Sequence, residues 1–262
     1  MTAPIPRDIP GLPAIPRPHT LLPAPVPAAA VMTPVRRPLT AVLRLLTALT
    51  AATAVAVELL LDSPARVLSD FAVQSALLLA LVLAVAARRS WTARRPLPEA
   101  LTGAALLYAV ISGLVHHLLL ANPASPFAVA GRAAADPAWS MTVAQHILHT
   151  AVPVAAVLDW LLLSAPGRLH LRQASTWLLY PMAYLAFSLA RGELLLPGAP
   201  DRYLYPFLDA GRHGYKVVLG NALLLGLSFY ALAVLLVALD HARPNPVRHR
   251  SKTGFRLQPP VG

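Results

Sequence analysis

The chain contains no cysteine, which rules out disulfides, thiol catalysis and thiolate metal sites. Lysine is nearly missing, found only at Lys216 and Lys252, so almost every positive charge is an arginine. Charge of either sign is scarce, at 13% of 262 residues against about 25% in ordinary soluble domains. So few charges cannot cover the surface of a soluble globule. The 22 basic residues outnumber the 11 acidic ones, giving a net charge of +11 and a pI near 11.0. A nucleic-acid binder gathers such charge on one contiguous face. Here the arginines are dispersed between apolar runs, so no nucleic-acid partner is expected and the arginines read as topology signals. The preference for Arg, Ala, Pro and Leu over Lys fits GC-rich codon usage, hence a bacterial source.

What is abundant is apolar sequence, 56% of the chain, with a mean hydropathy of +0.59. Six apolar runs stand out, at 39–61, 71–87, 101–121, 142–163, 174–190 and 216–239. Each approaches the roughly 20 residues that cross about 30 Å of hydrocarbon. The expected fold class is an all-α integral membrane protein, a six-transmembrane helix bundle over residues 39–240. Residues 1–38 are dense in proline, as in Pro23-Ala24-Pro25-Val26-Pro27, and predict a disordered cytosolic segment. This segment lacks the charged start, continuous apolar core and cleavage site of a signal peptide. Arg36-Arg37 precede Pro38 and a span-length run, so they read as a positive flank. Met1 and Met32 are both candidate starts. Residues 241–262 form a basic tail.

The loops alternate in arginine content. Arg36 and Arg37, then Arg88, Arg89, Arg94 and Arg95, then Arg168 and Arg172, then the tail, mark one side. Arg66 and Arg132 stand alone in the first and third loops, and the fifth mixes Arg191, Arg202 and Arg212 with Glu193, Asp201 and Asp209. The rich side is cytosolic. Both termini are therefore expected inside, in a multi-pass protein of the bacterial plasma membrane.

This topology brings polar residues of all six spans to one level, in the outer leaflet. They are Glu58, Asp70, Gln74, Ser75, His116, His117, His146, His149, Tyr184, Ser188, Arg191 and Asn221. Polar groups in hydrocarbon must face the bundle interior, so the cluster predicts a pocket open to the outer leaflet. Interfacial decoration of helix ends is the plainer alternative. His146 and His149 share a helix face, and Pro153 invites a kink beside them. Adjacent His116 and His117 point about 100° apart on a helix, and no HExxH-type spacing exists, so neither metal nor cofactor is expected. Asp159, away from the cluster, is expected to pair with Arg168 or Arg172, and Arg44 to snorkel to headgroups.

Several stretches, in order over about residues 39–240, are similar to the bacterial Pr6Pr membrane proteins. They are Gly103 through Tyr108 and Gly113-Leu114-Val115-His116-His117-Leu118 in the third run, and Leu148-His149-Thr150-Ala151-Val152-Pro153 with Asp159-Trp160 in the fourth. Trp177-Leu178-Leu179-Tyr180-Pro181, Arg191-Gly192 and Tyr205-Pro206-Phe207-Leu208-Asp209 complete the set. That group in turn resembles the androgen-induced-gene family of six-span threonine hydrolases, which act on fatty-acid esters of hydroxy fatty acids. The resemblance implies a lipid or acyl-chain ligand, with His149 at the position of the family's catalytic histidine. Ala72 stands where the family has its nucleophilic threonine. Ser75, one turn deeper on nearly the same face, is the candidate replacement, with His149 as its base. Gln74, His117 and Tyr205 are the candidate oxyanion donors, and His146, Glu58, Arg191 and Asp209 further pocket candidates. The expected function is hydrolysis of lipid or fatty-acid esters. The alternatives are non-enzymatic lipid binding or proton-coupled transport, using Glu58 and the histidines, and an inactive relative.

Overall fold

The structure, a computed structural model, describes residues 35–129, 139–199 and 201–244. The expected disordered segment, apart from its last few residues, the loop residue Arg132 and most of the basic tail lie outside the described residues. All elements below belong to the unit Arg36–Gly262. Among the described residues every regular element is helical, and five helices are long and apolar enough to cross a membrane. In chain order the helices are α1 (Pro38–Leu61), α2 (Pro64–Val67), α3 (Phe71–Trp91), α4 (Glu99–Leu120), α5 (Trp139–Leu163), α6 (Leu171–Trp177), α7 (Leu179–Leu194) and α8 (Ala210–Ala242).

Local chemistry sets the ends. α1 starts on Pro38, whose fixed φ and missing N–H suit a first helical position. Asp70 caps α3 by accepting the Ala72 N–H at 2.7 Å, and Asp209 caps α8 by accepting the Arg212 N–H at 3.0 Å. Gly214, at φ 74°, separates a lead-in turn from the long apolar part of α8.

Small residues set the packing. α1 buries Ala41, Ala48, Ala51, Ala54 and Val55 along one stripe and lies against α3 over much of its length. Such a stripe lets backbones approach closely, which is how helices associate where no hydrophobic drive separates protein from lipid. The main core then runs through α3, α4, α5, α6, α7 and α8 around Leu79, Leu107, Ile111, Val152 and Trp177. The opposite faces are leucine-rich and exposed, notably Leu219, Leu223, Leu224 and Leu227 on α8. Apolar surface on that scale belongs against hydrocarbon.

The expected fifth run, 174–190, is not one helix. It is divided at Leu178 into α6 and α7. Pro181 has no N–H to return to the carbonyl four residues earlier, that of Trp177. The freed carbonyl accepts the Tyr108 hydroxyl at 2.8 Å instead. Three further departures are π-turns, at His116–Leu120 in α4 and at Ile147–Ala151 and Asp159–Leu163 in α5. They coincide with the histidines and with Asp159, as such turns often do at functional positions.

Candidate functional site

The bundle has an arginine-rich end, with Arg37, Arg88, Arg168 and Arg243, and an opposite end that carries Asp70, Tyr205 and Arg191. Toward the second lies a cleft of about 80 Å³ between α4, α5, α7 and α8. Phe71, Ile111, Val115, Leu120, Leu185, Phe207, Leu225 and Phe229 make most of its wall. The polar groups on it are Ser112, His116, His149, Tyr184 and Tyr205.

His149 is held there by backbone chemistry. Pro153 cannot supply the amide that the His149 carbonyl would accept in an α-helix, and the chain widens into the π-turn. Gly113 on α4 then lets the two helices meet. A Cβ at Gly113 would lie 3.0 Å from the His149 carbonyl oxygen and 3.2 Å from the Pro153 ring. The His149 ring stacks on His116, with centroids 4.0 Å apart and planes within 7°. Its Nδ1 lies 3.5 Å from Ser112 Oγ.

Ser112 was missed in the sequence. The signal existed, since Ser112 and His116 are four apart on one helix face, but a serine within an apolar run is unremarkable without a partner. Ser75, by contrast, is fully enclosed and its Oγ has no hydrogen-bond partner among the described residues. It is not on the cleft wall.

The other predicted residues scatter around the cleft. His117 is exposed and its Nε2 lies 2.9 Å from Thr150 Oγ1, while His146 is exposed and off the wall. Gln74 Nε2 donates to the Leu68 carbonyl at 2.9 Å, and its Oε1 accepts the Tyr180 hydroxyl at 2.9 Å. Tyr205 is buried, lines the cleft and donates its hydroxyl to Asp70 Oδ1 at 3.1 Å. Tyr184 donates to the Ser69 carbonyl at 3.0 Å. Arg191 braces the following loop through the carbonyls of Asp201 at 2.8 Å and Arg202 at 3.1 Å. Asp209 is the α8 cap. Glu58 is buried near the end of α1 and forms no ion pair among the described residues, because Arg66 pairs with Asp62 and Asp201.

Burial raises the Asp70 carboxyl above its usual range, opposed by the bonds from the Ala72 amide and the Tyr205 hydroxyl. Burial, then the Asp70 charge, pushes the Tyr205 phenol up. Both effects keep the Tyr205 proton on oxygen, where it serves Asp70. No group of three or more His, Asp or Glu side chains among the described residues is placed to hold a metal ion.

The arginine-rich end holds a second polar centre, of which the sequence suggested only that Asp159 pairs with an arginine. Asp159 pairs with Arg44, not with Arg168 or Arg172. Nε reaches Oδ1 at 2.7 Å and Nη2 reaches Oδ2 at 3.2 Å. Arg44 therefore does not snorkel, because its guanidinium is held by the carboxylate on α5. Arg168 pairs with Glu99 at 2.8 Å. Asp240, 1% exposed, accepts the Arg168 N–H at 2.7 Å, the Leu169 N–H at 2.9 Å and Trp160 Nε1 at 3.2 Å, and pairs with Arg243. Comparison with models of protein families, with characterised proteins and with solved structures found no match.

Proposed function

We propose that this chain is a six-span membrane protein that hydrolyses acyl-lipid esters in the cleft at His149. The fifth crossing is α6, Leu178 and α7, a stretch from Leu171 to Leu194 that reaches roughly 36 Å at the α-helical rise. The arginine bias of the loops puts both termini in the cytosol and the cleft in the outer half of the plasma membrane. Kinship with the Pr6Pr and androgen-induced-gene proteins belongs to the same proposal, with His149 as the shared histidine.

One observation carries the reading. A serine hydroxyl lies 3.5 Å from an imidazole nitrogen on the wall of a mostly apolar cleft. Ser112 is the nucleophile in this reading and His149 the base, a separation that tightens when substrate binds. Ser112 Oγ bonds to the ester carbonyl carbon as its proton passes to His149 Nδ1. The tetrahedral intermediate expels the alcohol, which takes that proton. Water then attacks the acyl-serine, His149 accepts its proton and returns it to Ser112, and the fatty acid leaves.

A second reading is binding of an acyl lipid without turnover. The observation favouring it is that Tyr184 and Tyr205 both donate their hydroxyls to protein acceptors, so neither is free for an oxyanion. Labelling the purified chain with a fluorophosphonate, followed by peptide mapping, separates the two. An adduct on Ser112 that disappears in His149→Ala supports hydrolysis. An adduct on Ser75 moves the nucleophile to α3. No adduct, with a control hydrolase labelled alongside, leaves binding. Proton-coupled uptake that Glu58→Gln abolishes would instead point to transport.

A further inference from the structure

The cleft is closed on one side and open on the other. On α4, Ile111 is 1% and Ser112 5% exposed. On α7 and α8, the wall residues Pro181, Met182, Leu185, Gly226 and Phe229 are all partly exposed, Met182 at 56%. The mouth therefore lies between α7 and α8, on the flank of the bundle and not at its end. Gly226 borders the opening, since a Cβ built there would meet no atom within 4 Å. Around it both helices turn Leu179, Leu223 and Leu227 outward. α8 is the most apolar of the long helices. A mouth at that level opens into hydrocarbon, where charged or strongly hydrated molecules are excluded.

We propose that the ligand enters sideways through this portal, as an unbranched acyl chain of a bilayer lipid, and that Gly226 keeps the portal open. The chain lies along α8 between Ala222 and Phe229, a wall of roughly 10 Å at the helical rise. Its carbonyl end faces Ser112 and His149 on the far side. The proposal rests on the cleft being the lipid site, but it does not depend on catalysis. Gly226 is helical, so a larger side chain there fills space without straining the backbone.

The test is photo-crosslinking of the full chain in phosphatidylcholine vesicles with a palmitate ester carrying a mid-chain diazirine. Adducts are expected on Met182, Leu225 and Phe229. Gly226→Phe should lower them by about tenfold or more, the scale of a steric mismatch in an apolar pocket. Gly226→Ala should lower them less. Gly220→Phe is the matched control, an exposed α8 glycine with equally open surroundings that does not border the cleft. It should leave the adducts unchanged. Adducts confined to outward leucines, or cleft adducts undiminished in Gly226→Phe, overturn the portal. Ser112→Ala should crosslink like the wild type. If it does while fluorophosphonate never labels the protein, the portal stands and hydrolysis falls.

Discussion

The polar centre at Asp159 and Asp240 and the polar pair at His149 and Ser112 are satisfied to different degrees. At the arginine-rich end the half-buried Asp159 and the buried Asp240 are both matched. Arg44 forks onto Asp159, and Asp240 gathers two backbone amides, an indole and a guanidinium. Around the cleft, His149 has one long contact to Ser112 and a stacked neighbour, on a wall that is mostly apolar. Networks in which most groups have partners hold structure together. A polar pair left loosely satisfied beside open space is available to a ligand. The contrast separates a structural centre from a candidate functional one within a single helix, since α5 carries both His149 and Asp159.

Asp240→Ala tests the structural half hardest. It strands an arginine, an indole N–H and two amides, and should cost about 3–5 kcal/mol. This would appear as a large drop in the thermal unfolding midpoint in detergent, and an unchanged midpoint would dissolve the contrast. Arg44→Met comes next, at a smaller cost, because it leaves the half-buried Asp159 without its partner. The double variant Arg44→Met with Asp159→Leu should recover most of the loss. If the double loses as much as the two singles added together, the residues act independently and are no pair.

On the functional half, His149→Ala should reduce fluorophosphonate labelling of Ser112 by about 100-fold, the lower range of general-base contributions. Its unfolding midpoint should stay near that of the wild type, and a shift as large as that of Asp240→Ala would recast His149 as a structural residue. Gly113→Ala is the mildest change and sharpens the contrast most. The added methyl pushes on the His149 carbonyl and Pro153, costing about 1–3 kcal/mol as overpacking does. Labelling of Ser112 should fall with it, while Gly220→Ala on the exposed face of α8 should change neither.

Much of the scaffold was legible because it depends on local pattern. Apolar length located the five long helices, and Pro153 marked where the backbone would depart from regular α-helix. The single fifth run was misread as continuous because hydropathy does not register a missing amide donor; Tyr108, distant in sequence, repairs the break. His149 was legible through its motif. Ser112 and the Arg44–Asp159 pair were not, because each is defined by a partner on another helix.

The sequence alone determined that the chain is apolar, cysteine-free and helical, and that its charges sit between long hydrocarbon-length runs. These follow from composition and period, which each segment carries by itself. Only the tertiary structure decided that His149 meets Ser112, that Asp159 meets Arg44, and that the cleft opens between α7 and α8. Those depend on how far each helix is rotated and how closely it approaches its neighbours. Both are set by distant small residues such as Gly113 and by backbone bonds displaced at proline, neither of which a single segment specifies.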